Sequence, residues 1–212
     1  MTKTALIIGA SGLVGTALLQ GVLASPAYGL VKILVRSPLK ITNLKLQTIL
    51  FDFENPDAIK VQADDVYCCL GTTLKKAGSK AAFRKIDSDY PFLIARLAKL
   101  NGATRFSIVT AMGADVHSSI FYNQIKGEIE RKLKELNFES LLVFRPSLLL
   151  GNRQEARFSE QVAGSLMRFF KPLIPLKYQG IEAEKVADAM IQKTLSAPSG
   201  YHVYESDVMQ QY

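Results

Sequence analysis

The chain has 212 residues, of which 48% are hydrophobic and 21% are charged, as is ordinary for a soluble globular protein. Its formal net charge of +7 attracts anions, but the positive residues are scattered without a run of five or more, so a nucleic-acid partner is not expected. The apolar stretches are too short to cross a bilayer, and the first residues lack the pattern of a secretory signal. We therefore expect a cytoplasmic protein without a membrane span.

In chain order, apolar runs that end at turn residues alternate with stretches of helical period. The alternation of strands and helices along the whole chain predicts one α/β domain, residues 1–212, with a doubly wound, mostly parallel sheet. Residues 151–180 combine prolines, basic residues and aromatics, and we expect a small C-terminal cap there, on the ligand edge of the sheet. The predicted strands are 4–9, 30–35, 46–51, 64–70, 105–110, 140–145 and one near 201–204; the predicted helices are 12–24, 87–100, 119–136 and 182–195.

The cysteines and histidines give no metal-binding pattern. Cys68 and Cys69 are neighbours, and their side chains would point to opposite faces of a strand. A disulfide between them would distort the backbone, so we expect two reduced core residues. His117 and His202 are far apart in sequence and have no cluster of further ligands, so no metal site is expected.

A glycine-rich turn separates the first predicted strand from the first helix. It has the spacing G-x-x-G-x-x-G, with Gly9, Gly12 and Gly15, and Ser11 adds a hydroxyl. Such glycines permit a tight turn, let the backbone approach a pyrophosphate and let the helix pack closely on the sheet. The helix N-terminus then offers N–H groups to phosphates. Glycines that serve ordinary turns are the alternative, but the position between a strand and a helix favours a dinucleotide site.

The end of the second strand bears on the choice of cofactor. Arg36-Ser37 stands where an acidic residue would hold the ribose 2′-hydroxyl of NAD, and an arginine there accommodates the 2′-phosphate of NADP. We therefore expect NADP(H) rather than NAD(H), although a solvated surface arginine is the alternative. Asp52-Phe53, after the third strand, is a candidate for the adenine site, unless Asp52 only caps the following turn.

A tyrosine and a lysine on one predicted helix suggest acid–base chemistry. Tyr122 and Lys126 are four residues apart and share a helix face. A nearby ammonium stabilises a phenolate, so Tyr122 is expected to exchange a proton with a substrate oxygen, and Lys126 also to bind the nicotinamide ribose. A surface i,i+4 pair is the alternative. Thr110, at the end of the fifth strand, is a candidate to polarise a substrate carbonyl or only to cap the strand, and its neighbour Ala111 has no hydroxyl.

Seven motifs together resemble atypical members of the short-chain dehydrogenase/reductase superfamily. Within it, they are similar to a subgroup of Tat-interacting oxidoreductase-like proteins with human and bacterial members. The resemblance extends from about residue 3 to residue 195. The motifs are GASGLVG, VRS, CCLGTTLKKAG, KIDSDYPFLIARLAK, TAMGAD, YNQIKGEIE and VFRPSLLLGNRQEARFSE.

This resemblance implies NADPH binding in a Rossmann fold, with Tyr122 and Lys126 as the active pair. One departure concerns catalysis, because the subgroup has two serines where this chain has Thr110-Ala111. The implied cofactor contacts are Gly9, Ser11, Gly12, Leu13, Val14, Arg36 and Ser37, with Asp52 and Phe53 at the adenine, Leu70, Gly71, Thr72 and Thr73 under the adenosine and ribose, and Lys126, Pro146, Ser147 and Leu148 near the nicotinamide.

Two functions follow as hypotheses. The first is hydride transfer between NADPH and an unidentified small-molecule carbonyl substrate, with Arg153, Arg157 and the aromatics of the cap shaping the substrate pocket. The cluster around Arg153 is, alternatively, a surface salt-bridge network. The second function is that of a catalytically weak or inactive NADP(H)-sensing regulatory protein that binds a protein partner. Both a monomer and a homodimer are compatible with the sequence.

Overall fold

A computed structural model describes residues 2–56, 61–150 and 175–212. Within them, seven strands form one parallel sheet and two short strands form a separate parallel ladder. The order in the large sheet is β3-β2-β1-β4-β5-β6-β9. The strands are β1 (Lys3–Ile8), β2 (Tyr28–Val35), β3 (Leu46–Leu50), β4 (Asp65–Cys68), β5 (Arg105–Val109), β6 (Ser140–Arg145), β7 (Leu149–Leu150), β8 (Ile181–Glu182) and β9 (Gly200–Glu205).

Helices cover both faces of this sheet, as a doubly wound fold requires. Among the described residues, no helix has both the length and the apolar character that a membrane span needs. The helices are α1 (Leu13–Ala24), α2 (Leu74–Ala77), α3 (Lys80–Arg84), α4 (Tyr90–Leu100), α5 (Phe121–Lys134), α6 (Ala183–Leu195) and α7 (Ser206–Met209), with a π turn over Lys85–Asp89 and a 3₁₀ turn over Leu176–Tyr178.

The alternating side chains of β1 divide the core into two layers. Ala5 and Ile7 belong to the layer that α1 and α6 cover, whereas Leu6 and Ile8 belong to the layer under α4 and α5. All four side chains are completely buried. Because successive side chains of a strand point to opposite faces, an uninterrupted apolar run indicates a strand that is covered on both sides. The predicted doubly wound Rossmann fold is confirmed.

The strand order places a crevice beside β1. The chain first adds strands outward from β1 through β2 to β3, then returns and adds β4 on the other side. The connections that leave the carboxyl ends of β1 and β4 therefore diverge, and ligands bind at such switch points in open α/β sheets.

Two expectations about the helices were wrong. Strands and helices do not alternate along the whole chain, because β2 and β3 are joined by residues 36–45 without a helix. That connection is short for a helical crossover and contains Pro38. The helix predicted over 87–100 begins earlier, since α3, the π turn and α4 follow one another from Lys80 to Leu100. A π turn shifts the phase of the apolar pattern. A search for apolar residues at a period of 3.6 therefore did not detect the helical turns before residue 87.

Most of the cap expected over 151–180 corresponds to residues 151–174, which lie outside the described residues. Arg153 and Arg157, expected to shape the substrate pocket, are among them. From Pro175 onwards, the 3₁₀ turn leads into β8, which pairs with β7 immediately after β6.

A buried polar network joins four neighbouring strands. The Asp65 carboxylate at the start of β4 accepts a hydrogen bond from the Tyr28 hydroxyl (2.8 Å). Lys3 and Arg105 lie 3.4 and 3.0 Å from its two oxygens. The Tyr28 hydroxyl is also 2.7 Å from that of Tyr67. Asp65 is completely buried, so these partners replace the water that its charge has lost.

The turn between β1 and α1 depends on glycine at two positions. Gly9 has φ +82°, and a Cβ there would lie 2.6 Å from the carbonyl carbon of Cys69. A Cβ at Gly15 would overlap the carbonyl oxygen of Gly9, which is backbone and cannot rotate away. These contacts bring the start of α1 against the end of β1.

Replacing Gly15 by alanine is expected to lower the free energy of unfolding by about 1–3 kcal/mol, because α1 must move away from β1 to relieve the overlap. Urea denaturation measures this change. Gly21→Ala on the same helix is the control, since its Cβ would meet only the Ile191 Cδ1 methyl group, which can rotate. Equal stability of Gly15→Ala and the unmodified protein would contradict this packing argument.

Candidate functional site

A cavity of about 980 Å³ opens at the carboxyl ends of β1, β4 and β5. It lies at the switch point of the sheet, where the fold places ligand sites. The structure brings eleven of the residues singled out from the sequence to this cavity: Ser11, Gly12, Leu13, Val14, Leu70, Gly71, Thr72, Thr73, Thr110, Tyr122 and Lys126.

One wall of the cavity is the N-terminus of α1. Gly12 is the N-cap residue and gives no side-chain cap to the first turn. A Cβ at Gly12 would lie 3.2 Å from the carbonyl oxygen of Gly9, so the backbone at this turn is bare and closely folded. Uncapped N–H groups and the positive end of the helix dipole suit a phosphate group. This geometry fits the pyrophosphate of a dinucleotide.

A second wall is formed by α5, which carries Tyr122 and Lys126. The helix lies directly on the segment at Asp115, where a Cβ at Gly127 would overlap the backbone. The Tyr122 ring packs beside Phe83, with 5.6 Å between ring centroids. The Lys126 Nζ lies 5.8 Å from the centroid of the Tyr122 ring. The expected shared face of the two side chains is therefore present, and both point into the cavity.

Asp87 holds Lys126 in place. One of its carboxylate oxygens lies 2.7 Å from the Lys126 Nζ, and the other accepts a hydrogen bond from the Thr72 backbone N–H (2.9 Å). Both side chains are almost fully buried. Burial is the largest single influence and would lower the pKa of Lys126, but attraction to Asp87 and Tyr122 and the hydrogen bond to Asp87 together raise that pKa above its ordinary value. Lys126 is therefore a buried ammonium at neutral pH.

The sequence reasoning missed Asp87. It lies in the π turn between α3 and α4, where Asp87 and Ser88 are both buried. An acidic residue four positions after Phe83 and three positions before an apolar helix was an available signal. The partner is 39 positions later in the chain, however, so the ion pair required the tertiary structure.

Thr110 also has an unforeseen partner. Its hydroxyl donates to the buried Glu130 carboxylate at 2.7 Å. Arg145, at the end of β6, binds the same carboxylate with two nitrogens, at 3.1 and 2.5 Å. Tyr122, Lys126 and Glu130 are spaced by four residues along α5, so Glu130 continues the face that carries the other two.

Eight of the residues predicted for the catalytic and cofactor sites do not line this cavity. Asp52 accepts hydrogen bonds from the Glu54 N–H and the Asn55 side chain, as expected of a turn cap. Phe53 packs on Tyr90, with 4.7 Å between ring centroids. Ser147 hydrogen bonds to Gln179 and Ser206. The remaining five are Gly9, Arg36, Ser37, Pro146 and Leu148, and Arg36 is exposed just beyond the end of β2.

The cysteines have no reactive setting. Burial raises the pKa of the Cys68 thiol to about 12, and it raises that of Cys69, which lines the cavity, well above its ordinary value. A thiol that stays protonated is a poor nucleophile. Within the described part of the chain, no three His, Cys, Asp or Glu side chains are grouped so as to hold a metal ion.

Comparisons with known proteins agree with this geometry. A family profile described as NAD(P)H-binding matches residues 9–139. Protein HTATIP2 of Rattus norvegicus is 38% identical over 206 residues, which cover 93% of this chain and 84% of the relative. The mitochondrial protein FMP52 of Eremothecium gossypii is 33% identical over 195 residues, covering 88% of this chain and 87% of the relative.

Solved structures support the fold. The Bordetella bronchiseptica enzyme WbmH in complex with NAD⁺ has a TM-score of 0.71 and 15% identity, over 97% of this chain and 76% of that one. MoeE5 in complex with UDP-glucose and NAD has a TM-score of 0.69 and 14% identity, over 97% and 79% of the two chains. At these identities the likeness concerns the fold.

The relatives also correct one expectation. Several of them, from different fungi, are named as mitochondrial proteins, which overturns the expected cytoplasmic location. That expectation rested on a missing secretory pattern, which does not distinguish the cytosol from an organelle. The glycine turn, the fold and these relatives agree on the family: the chain belongs to the NAD(P)H-binding proteins, as an atypical member of the short-chain dehydrogenases/reductases related to HTATIP2 and FMP52.

Proposed function

We propose that this protein is an NADPH-dependent oxidoreductase that reduces a small carbonyl compound. The observation that carries the proposal is the buried Lys126–Asp87 ion pair beside Tyr122, in a cavity that begins at the glycine turn. A buried charged pair is costly to assemble, and in a ligand-sized cavity it marks a group with a chemical task.

The roles of the residues follow from their positions. NADPH, when bound, supplies the hydride that adds to the carbonyl carbon. Tyr122 donates its hydroxyl proton to the carbonyl oxygen, which yields the alcohol. Among the described residues, no hydrogen bond is found for that hydroxyl, so its proton is available to a substrate. The Lys126 ammonium stabilises the phenolate that remains, and Asp87 keeps the ammonium charged.

Arg36 supports NADP(H) over NAD(H). It follows the last residue of β2, where a 2′-phosphate is recognised in dinucleotide folds. Within the described residues, no carboxylate pairs with its guanidinium. Asp52, the nearest acidic residue along the chain, accepts hydrogen bonds within its own turn. An exposed arginine without an acidic neighbour suits a phosphate ester better than a ribose hydroxyl.

Thermal stability in the presence of each cofactor tests this preference. At a hundred times its dissociation constant, NADPH should add about 2.7 kcal/mol to the free energy of unfolding, which corresponds to roughly 5–11 °C in Tm. NADH at the same concentration should give a much smaller shift. Arg36→Ala should weaken NADPH binding by about 10- to 100-fold and leave NADH binding unchanged, because a charge-assisted contact to the phosphate is lost.

Lys40→Ala is the control for that variant, since Lys40 is an exposed cation four residues further along the chain. Equal shifts with NADPH and NADH would refute the preference for NADP(H). The absence of a shift with either cofactor would refute the proposed function. NADPH binding without turnover of any carbonyl compound would favour the sensing role, for which Ala111 and the engaged hydroxyl of Thr110 are the supporting observations.

A further inference from the structure

We infer that Thr110 acts on the substrate as a hydrogen-bond acceptor, and that it selects carbonyl compounds with a hydroxyl group next to the reacting carbonyl. This inference rests on the proposed function and narrows its substrate class. Glu130 is the positioning residue, because it determines which way the Thr110 hydroxyl proton points.

The first step concerns that single proton. A threonine hydroxyl has one hydrogen to donate and two lone pairs that accept. The Thr110 oxygen is 2.7 Å from a Glu130 carboxylate oxygen and 3.4 Å from the Phe144 carbonyl oxygen. Both neighbours are acceptors, and the carboxylate is the closer and the stronger one. The proton is therefore directed at Glu130, away from any molecule in the cavity.

The second step concerns the rigidity of Glu130. Glu130 as a residue is only 4% exposed, and Arg145 binds both oxygens of its carboxylate. Arg145 is held in turn by Glu205 of β9, at 3.4 Å. Hydrogen bonding to Glu130 raises the pKa of Arg145 above its ordinary value, so the guanidinium does not release the carboxylate by losing its proton. Glu130 is thus a fixed acceptor for the Thr110 proton.

The third step is the consequence for recognition. Thr110 lines the cavity together with Tyr122 and can make a polar contact there only through its lone pairs. A carbonyl oxygen has no proton to offer, so Thr110 does not polarise the reacting carbonyl, and Ala111 contributes no hydroxyl. Tyr122 offers a donor to the carbonyl, and Thr110 offers an acceptor. A hydroxycarbonyl group, with an acceptor beside a donor, is complementary to this pair.

Three small ketones of similar shape test the selection. Hydroxyacetone has a hydroxyl that donates, butanone replaces it by a methyl group, and methoxyacetone keeps the oxygen without its proton. With NADPH in excess, kcat/KM for hydroxyacetone should exceed that for each of the other two by about three- to tenfold, the range expected for one neutral hydrogen bond. The difference should be found mainly in KM.

Two variants of Thr110 separate recognition from folding. In Thr110→Val the ratio of kcat/KM values for hydroxyacetone and butanone should fall to about one, because the acceptor is gone. Thr110→Ser keeps the hydroxyl and should keep the ratio. In Glu130→Gln, the amide N–H can donate a hydrogen bond to the Thr110 oxygen. The Thr110 hydroxyl can then point its own hydrogen into the cavity. This variant should therefore lose the preference for hydroxyacetone and gain relative activity with 2,3-butanedione, which only accepts, an exchange that a purely structural role would not produce.

The proposed function and this inference fail in different ways. Binding of the three ketones is also measured by saturation-transfer NMR, with and without NADP⁺. Turnover of all three with equal kcat/KM overturns the inference and leaves the proposed function standing. Without turnover, selective binding of hydroxyacetone supports the inference, whereas equal binding, or no binding, overturns it. Absence of both NADPH binding and turnover refutes the proposed function independently.

Discussion

Replacing Asp87 by asparagine is expected to lower kcat/KM for carbonyl reduction by about 10²- to 10⁴-fold, the usual contribution of a positioned acid–base group. The variant keeps the shape of the side chain and can still accept from the Thr72 N–H. It removes the charge opposite the Lys126 Nζ, which lies 2.7 Å from the Asp87 carboxylate. Lys126 would then be buried without its counter-ion and would no longer stabilise a Tyr122 phenolate.

The pH dependence of the Asp87→Asn variant gives a second readout. In the unmodified protein the pKa of Lys126 is raised, so the stability contributed by its charge is fully present below about pH 10.5, the ordinary value, and is lost as pH rises through the raised pKa. Without Asp87, burial dominates and the pKa of Lys126 falls below its ordinary value. The alkaline limb of the activity profile should therefore move to lower pH.

Asp89→Asn is the matched control for Asp87→Asn. Asp89 lies in the same π turn, but its side chain is half exposed and is 3.5 Å from the Lys132 Nζ. Surface ion pairs of this kind contribute little to stability, so activity and its pH profile should remain close to those of the unmodified protein. If Asp87→Asn reduced carbonyls at the normal rate and with an unchanged alkaline limb, Lys126 would not act through its charge.

Replacing Asp65 by alanine is expected to lower the free energy of unfolding by about 3–5 kcal/mol, a large part of the total stability of a typical domain. The Asp65 carboxylate is the common partner of Lys3, Tyr28 and Arg105, which come from three other strands. Its loss leaves a buried tyrosine hydroxyl and two partly buried cations without that partner. Tm should fall by roughly 6–20 °C for a chain of this size.

Asp64→Ala is the control for Asp65→Ala. Its exposed carboxylate accepts a hydrogen bond from the Thr4 N–H at 2.7 Å, so it holds one neighbour where Asp65 holds three. We expect a loss of at most about 1.5 kcal/mol. Urea denaturation at neutral pH compares the two variants. Losses of equal size would mean that the buried network at Asp65 does not stabilise the sheet beyond a surface contact.

The sequence predicted the fold well where the determining signals are local. The apolar run of β1, the glycines after it and the amphipathic α5 each lie within about a dozen residues, and periodicity is sufficient to read them. The helix over α3 and α4 was only partly predicted, because one extra residue in the π turn moved the pattern out of phase. Tyr122 and Lys126 were accessible to sequence reasoning because a helix brings residues four apart to one face.

The electrostatic partners in the site were not predictable in the same way. Asp87 forms its ion pair with Lys126, which is 39 residues later in the chain. Thr110 follows β5 and binds Glu130 on α5, and these two elements come together only in the folded chain. A buried carboxylate has the same letter in the sequence as an exposed one. Whether it is a structural ion, a positioning group or a surface charge depends on which side chains the sheet brings beside it.

The two oxygens of Asp87 have one further consequence. One oxygen holds the N–H of Thr72, in the loop after β4, and the other holds the ammonium on α5. A molecule that displaces this loop on binding therefore alters the electrostatic surroundings of the ammonium, and a change in the ammonium alters the loop. Linkage requires this influence to be reciprocal and equal in free energy. If the proposed nucleotide displaces this loop, its binding and the protonation of Lys126 are thermodynamically coupled through the Asp87 carboxylate.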